Sequence, residues 1–167
     1  VRRSTNSNFI QQEKKANLGR IVSDFALTSA NQWALKFLSH SSSFCVLNHG
    51  GIRNSIGRGY ITLRNMYEVM PFENQLVILE LSGSQVDSLI NYIGELRSTP
   101  IANIDITYSV INNENHIHHL NYTKVEINEK PFDRSQNYWI VTTDFMANGG
   151  DKFNMLKYPL QKIYTGI

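Results

Sequence analysis

The chain has 167 residues, 41% of them hydrophobic, and 16 Lys and Arg against 14 Asp and Glu give a formal net charge of +2. That length suits one domain with a sizeable core and leaves no room for a second catalytic unit, and the near balance of charge argues against nucleic acid or an anionic membrane as the partner. The apolar runs stop short of the roughly 18–20 residues that span a bilayer, and a single cysteine, Cys45, excludes an intrachain disulfide.

Val1 to Lys15 are polar and charge-rich and read as a connector, with the domain proper over 16–167; a start at Val1 rather than Met reads as an excised or processed piece of a longer chain. Asn17 suits a helix N-cap. Leu18, Ile21, Val22, Phe25 and Ala26 recur at helical spacing, so the first helix is expected to bury that face and to extend or restart through Trp33, Leu35, Phe37 and Leu38. Phe44 to Leu47 reads as a buried strand, with Cys45 a small hydrophobe inside it. A short helix is expected after Thr62, turning Met66, Tyr67 and Val69 inward before Pro71 stops it.

Leu76 to Leu81 alternates as a strand, and Ser82 or Ser84 caps a helix lined by Val86, Leu89, Ile90 and Ile93. Ile104 to Ile111 and Tyr122 to Ile127 read as antiparallel strands around the polar turn Asn112–Asn115, with further pairing over His116 to Leu120. Tyr138 to Thr142 is the last buried strand. Helices and strands in mixed order, with hairpins in the second half, predict an α+β fold: a mixed sheet packed with helices in a single compact domain.

Three loops carry the chemistry. Thr142 to Phe153 sets an aromatic ring, a glycine pair and a carboxylate directly after a strand, Asn48-His49-Gly50-Gly51-Ile52-Arg53 places a guanidinium in the same situation, and Pro71-Phe72-Glu73-Asn74 supplies a second ring. A nucleotide divides among such groups. Its base has two π faces for Phe72 and Phe145, its ribose offers a vicinal diol to the acceptor-only carboxylate of Asp151, and its phosphate suits the planar fork of Arg53. Each residue also has a plainer reading: core packing for the phenylalanines, a solvated ion pair for Arg53, helix capping for Asp151, and Asx-turns for Asn48 and Asn74. His116 and His118 share a strand face, as metal ligands would, but the flanking asparagines favour an exposed hairpin.

The ordered pattern N-x-G-G-I-R-x-x-I-x-x-G-x-I, P-F-x-N and F-x-A-N-G-G-D-x-F, with Asn17-Leu18-Gly19 before it and Leu81-Ser82-Gly83 within it, resembles the C-terminal domain of the 5′-nucleotidase and UDP-sugar hydrolase family. The resemblance implies that Phe72 and Phe145 sandwich the base, that Asp151 binds the ribose, that Arg53 serves the ribose and phosphate side, and that Asn48 and Asn74 make polar contacts to base or ribose. It implies a nucleotide or nucleotide-sugar substrate. It also implies a separate N-terminal metallophosphoesterase domain holding two divalent metal ions, and an exported location, periplasmic or surface-attached. This chain has no Asp-x-His element, so no catalytic or metal-binding residue is expected in it. Where the family carries a third glycine this chain has His49, and counting back to the family's upstream arginines arrives at Asn8 and Gln12. A non-catalytic nucleotide-binding module, or a metal or protein contact through the histidine hairpin, are the competing readings.

Overall fold

The structure, a computed structural model, describes residues 9–11, 18–96, 98–112 and 118–167. In chain order the elements are β1 (Phe9–Gln11), α1 (Leu18–Phe37), β2 (Phe44–Val46), α2 (Leu63–Val69), β3 (Leu76–Ser82), α3 (Gly83–Leu96), β4 (Ile101–Ala102), β5 (Ile104–Asn112), β6 (His118–Ile127), β7 (Lys130–Pro131), β8 (Asn137–Thr143), α4 (Asp144–Ala147) and β9 (Gln161–Tyr164). They form a five-stranded sheet in the order β4-β2-β8-β3-β9 and a four-stranded sheet in the order β1-β5-β6-β7. The first is mixed, because β2 runs parallel to β8 while β3 runs antiparallel to it. The fold is α+β, as the order of elements predicts.

The pleat of the five-stranded sheet divides the core in two. Successive side chains of a strand point to opposite faces. Phe44 and Val46 of β2, Val77, Leu79 and Leu81 of β3, and Ile140 of β8 therefore meet Val86, Leu89, Ile90 and Ile93 of α3 and the apolar face of the second sheet. Their neighbours Cys45, Ile78 and Val141 meet Leu27, Ala30 and Ala34 of α1 on the other side. The start of α3 is fixed by a reciprocal cap, in which Ser82 Oγ accepts from the Gln85 amide at 3.3 Å and Gln85 Oε1 accepts from the Ser82 amide at 3.0 Å. Of the two serines expected there, Ser82 carries the cap.

Two helix faces differ from the expectation. In α1 the buried residues are Ser23, Leu27, Ala30 and Ala34, while Phe25 and Leu35 are 69% and 77% exposed. The helix carries apolar residues around much of its circumference, and the side chains small enough to bring it close to β2 and β4 decide which stripe is buried. In α2 only Val69 is buried; Met66 and Tyr67 stand in solvent. Seven residues make two turns, enough to seat one side chain, and Val69 is further tied by its carbonyl, which accepts from the Arg53 amide at 2.8 Å. Strands β4, β7 and β9 were not foreshadowed, and β1, within the segment read as a connector, pairs with β5. Strand β6 begins at His118, so the pairing expected near Leu120 is present, whereas His116 and the rest of the turn lie outside the described residues. No described helix is long and apolar enough to cross a membrane.

Cys45 is fully buried, and desolvation, with Asp24 adding a smaller repulsion, pushes its thiol well above the ordinary 9.0. Tyr108 is buried too, its hydroxyl donating to the Ile90 carbonyl at 2.7 Å, and burial raises it well above 10.0. Above pH 9 the unfolded chain releases protons that the folded chain retains, so stability is fully present below that point and falls as pH rises. The expected slope reaches about 1.4 kcal/mol per pH unit for each group. Urea unfolding measured between pH 8 and 11 should follow this fall, and Cys45→Ala should remove the part that begins near pH 9 while leaving the later part.

Candidate functional site

The site is built by strand direction. Because β2 and β8 are parallel neighbours, with Phe44 opposite Ile140 and Cys45 opposite Val141, both deliver their following loops to one edge of the sheet. Strand β3 is antiparallel to β8 and its first residue, Leu76, pairs with Thr143, the last of β8. The segment that leads into β3 therefore arrives at the same edge. Asn48–Arg53, Phe72–Asn74 and Phe145–Asp151, up to a hundred residues apart in sequence, are brought together without any need for long loops.

Asp144 joins two of these segments. Its amide donates to the Gln75 carbonyl at 2.9 Å, and its Oδ1 accepts from the amides of Gln75 at 3.2 Å and Phe145 at 2.8 Å. Thr143 caps the short helix α4 by accepting from the Met146 amide. At the other end of α4, Lys162 of β9 donates to the Ala147 carbonyl at 3.1 Å and to Asn148 Oδ1 at 3.2 Å, satisfying groups that the helix leaves open. The glycine at 150 has a steric cause: a Cβ there would lie 2.4 Å from the Phe145 ring, which rests on the bare backbone.

The third segment is tied to the second by a side-chain bond. Asn48 Nδ2 donates to Asp151 Oδ2 at 2.8 Å, across 103 residues of sequence. The amide is almost wholly buried and makes no cap of its own loop, so the plainer Asx-turn reading does not describe it. Arg53 Nη1 donates to the Gly50 carbonyl at 3.3 Å, and its guanidinium carbon lies 5.7 Å from the Phe72 ring centroid, within range of a cation–π attraction.

Asn48, Gly50, Arg53, Phe72, Asn74, Phe145 and Asp151 line one cavity of about 220 Å³. The structure thus gathers all six residues singled out in the sequence, with Gly50 between them. Phe72 and Phe145 are 51% and 43% exposed, so neither is a core residue, whereas Phe153 beyond the glycine turn is buried. The donor set of one carboxylate, two amides and a guanidinium does not suit a divalent metal ion, which prefers several anionic or imidazole ligands. Among the described residues no group of three or more His, Cys, Asp or Glu side chains is placed to hold one. Asp144, Lys162 and Tyr92, whose hydroxyl donates to the Asp151 carbonyl, lie outside the set expected from sequence. Asp144 follows a strand and starts a helix, a position that could have marked it; the other two act across the fold and leave no local signal.

A model of the 5′-nucleotidase C-terminal domain matches residues 1–158. The chain belongs to that family. This 5′-nucleotidase C-terminal domain is 29% identical over 154 residues to the trifunctional nucleotide phosphoesterase protein YfkN of Bacillus subtilis, covering 85% of the chain and 10% of that protein. It is 25% identical over 168 residues to human 5′-nucleotidase, covering 92% of the chain and 29% of the relative. Among solved structures, the 5′-nucleotidase precursor of Thermus thermophilus superposes with a TM-score of 0.72 at 27% identity, over 95% of this chain and 31% of that one. The domain therefore spans less than a third of the length of these relatives.

The contact between Phe145 and the backbone at 150 makes a clear prediction. Gly150→Ala should cost roughly 1–3 kcal/mol by overpacking, but much less in a Phe145→Ala background, where the ring is gone. A double-mutant cycle read by thermal or urea unfolding should give a coupling of about 1 kcal/mol or more; additive effects would mean that the ring does not rest there.

Proposed function

We propose that this chain is the nucleotide-recognition part of a 5′-nucleotidase-type phosphohydrolase. The base lies between Phe72 and Phe145, with stacking that contributes roughly 1–3 kcal/mol and tolerates base identity. Asp151 accepts from the ribose hydroxyls, Asn48 and Asn74 supply further polar contacts, and Arg53 faces the phosphate side. The observation that supports this reading is the shared cavity: six residues of the stated chemistry, from three separate segments, line one opening, and both rings are half-exposed there.

The role assigned to the chain is binding and orientation. Hydrolysis is assigned to a separate metallophosphoesterase domain of the same polypeptide, whose two divalent ions would supply the activated water. With base and ribose held in this cavity, the phosphate extends outward, and binding of the remote parts of the substrate fixes the reacting phosphorus where that chemistry occurs. A periplasmic or surface-attached location belongs to the same reading, as does a nucleotide or nucleotide sugar as substrate.

Titration of the chain with adenosine, AMP and UDP-glucose by calorimetry or NMR tests it. Binding is expected in the millimolar range, and Phe72→Ala or Phe145→Ala should each weaken it at least about five-fold, the lower bound for loss of one stacked face. Asp151→Ala should weaken all ligands that carry a ribose. Unchanged affinity across the three variants would overturn the assignment.

A further inference from the structure

Tyr92 does not line the cavity, yet it holds a residue that does. From α3 its hydroxyl donates to the main-chain carbonyl of Asp151 at 2.8 Å. Its ring meets Phe153 edge-on, with centroids 5.0 Å apart and planes at 84°. Phe153 is part of the core, so the tyrosine is seated against a fixed element rather than swinging free in solvent.

The turn that Tyr92 grips needs holding. Asp151 has φ 49° and Lys152 has φ 64°, two consecutive residues with side chains in the left-handed region that such residues seldom adopt. A backbone of this kind persists only where its surroundings over-determine it. Two contacts from different elements do so for Asp151: Asn48 holds carboxylate oxygen Oδ2, and Tyr92 holds the carbonyl. With both ends of the residue fixed, the carboxylate is presented to the cavity in one direction. Oδ1 takes part in neither contact and can accept from a ligand, and Oδ2 retains a second lone pair.

We propose that Tyr92 is a positioning residue for sugar recognition, and that through its grip on Asp151 it sets the preference of this cavity for a vicinal diol, hence for ribose over 2′-deoxyribose. The proposal rests on the nucleotide-binding reading given above and adds to it a residue on a different element with a distinct role. Two hydroxyls can be accepted together only if the carboxylate is held at the right angle. A single hydroxyl tolerates rotation of the acceptor, so a loosened Asp151 loses the second contact first.

Tyr92→Phe removes the hydroxyl and keeps the ring on Phe153, which makes it the informative substitution. Adenosine and 2′-deoxyadenosine are titrated against the unmodified chain, Tyr92→Phe and Asp151→Ala. The unmodified chain should bind adenosine more tightly. In Tyr92→Phe the affinity for adenosine should fall roughly two- to ten-fold, part of the worth of one hydroxyl–carboxylate hydrogen bond, while that for 2′-deoxyadenosine changes less than two-fold; Asp151→Ala should abolish the preference. Equal weakening of both nucleosides would assign Tyr92 a merely structural role and overturn the proposal, as would a preference that is undiminished in Tyr92→Phe. An unmodified chain that binds both nucleosides equally overturns it while leaving base recognition intact, whereas one that binds neither removes the nucleotide reading as well.

Discussion

The parallel pairing of β2 with β8 is the constraint on which the cleft depends. In an all-antiparallel sheet the loops after these two neighbouring strands would leave from opposite edges, and Asn48 would never meet Asp151. Here they emerge side by side, and the antiparallel β3 adds the segment before its own first residue to the same edge. Register makes the meeting specific, since a slip of one residue would turn Ile78 and Val141 away from α1 and reverse both cores at once. The same pleat that buries these strands on both faces thus fixes where the rings and the carboxylate stand.

Bonds between the loops then turn adjacency into a defined cavity. Asp144 binds the segment of Phe72 to that of Phe145, Asn48 binds the first glycine loop to Asp151, and Lys162 closes the far end of α4. Each of these is a polar contact between elements distant in sequence. The two phenylalanines contribute little to the core, since each residue is about half exposed. Core packing therefore does not account for their placement, which the proposed stacking role does, and the matching family is one defined by 5′-nucleotidases.

Much of this was legible in the sequence, and the reasons differ by element. Tyr138–Thr142 and Leu76–Leu81 are buried on both faces, so their apolar residues run almost without a break and mark strands, although Leu76–Leu81 does not show the alternation expected of it; Val86, Leu89, Ile90 and Ile93 of α3 recur at a spacing that leaves only one face to bury. That Phe72, Phe145, Arg53 and Asp151 share a cavity was legible chiefly through the ordered family motifs, with Phe145, Arg53 and Asp151 also standing beside glycine pairs. The face of α1 was not, because Ile21, Phe25 and Leu35 compete with the smaller residues that close packing selects. Met66 and Tyr67 misled for a related reason: spacing describes a helix but does not say whether anything stands opposite it. Strand β9 has only Gln161–Tyr164, a run too short and too polar to read alone, and it exists because β3 offers it an edge. Tyr92 looks like any residue of an amphipathic helix until the chain has folded back to bring Asp151 beneath its hydroxyl.

The central claim is that two aromatic rings from separate segments enclose one base. It is tested most directly by intermolecular nuclear Overhauser effects between adenosine and the chain labelled at its phenylalanine rings. Contacts from the base protons to both Phe72 and Phe145 in the same complex are the predicted result. Contacts to one ring alone, or to neither while binding is present, would contradict the account.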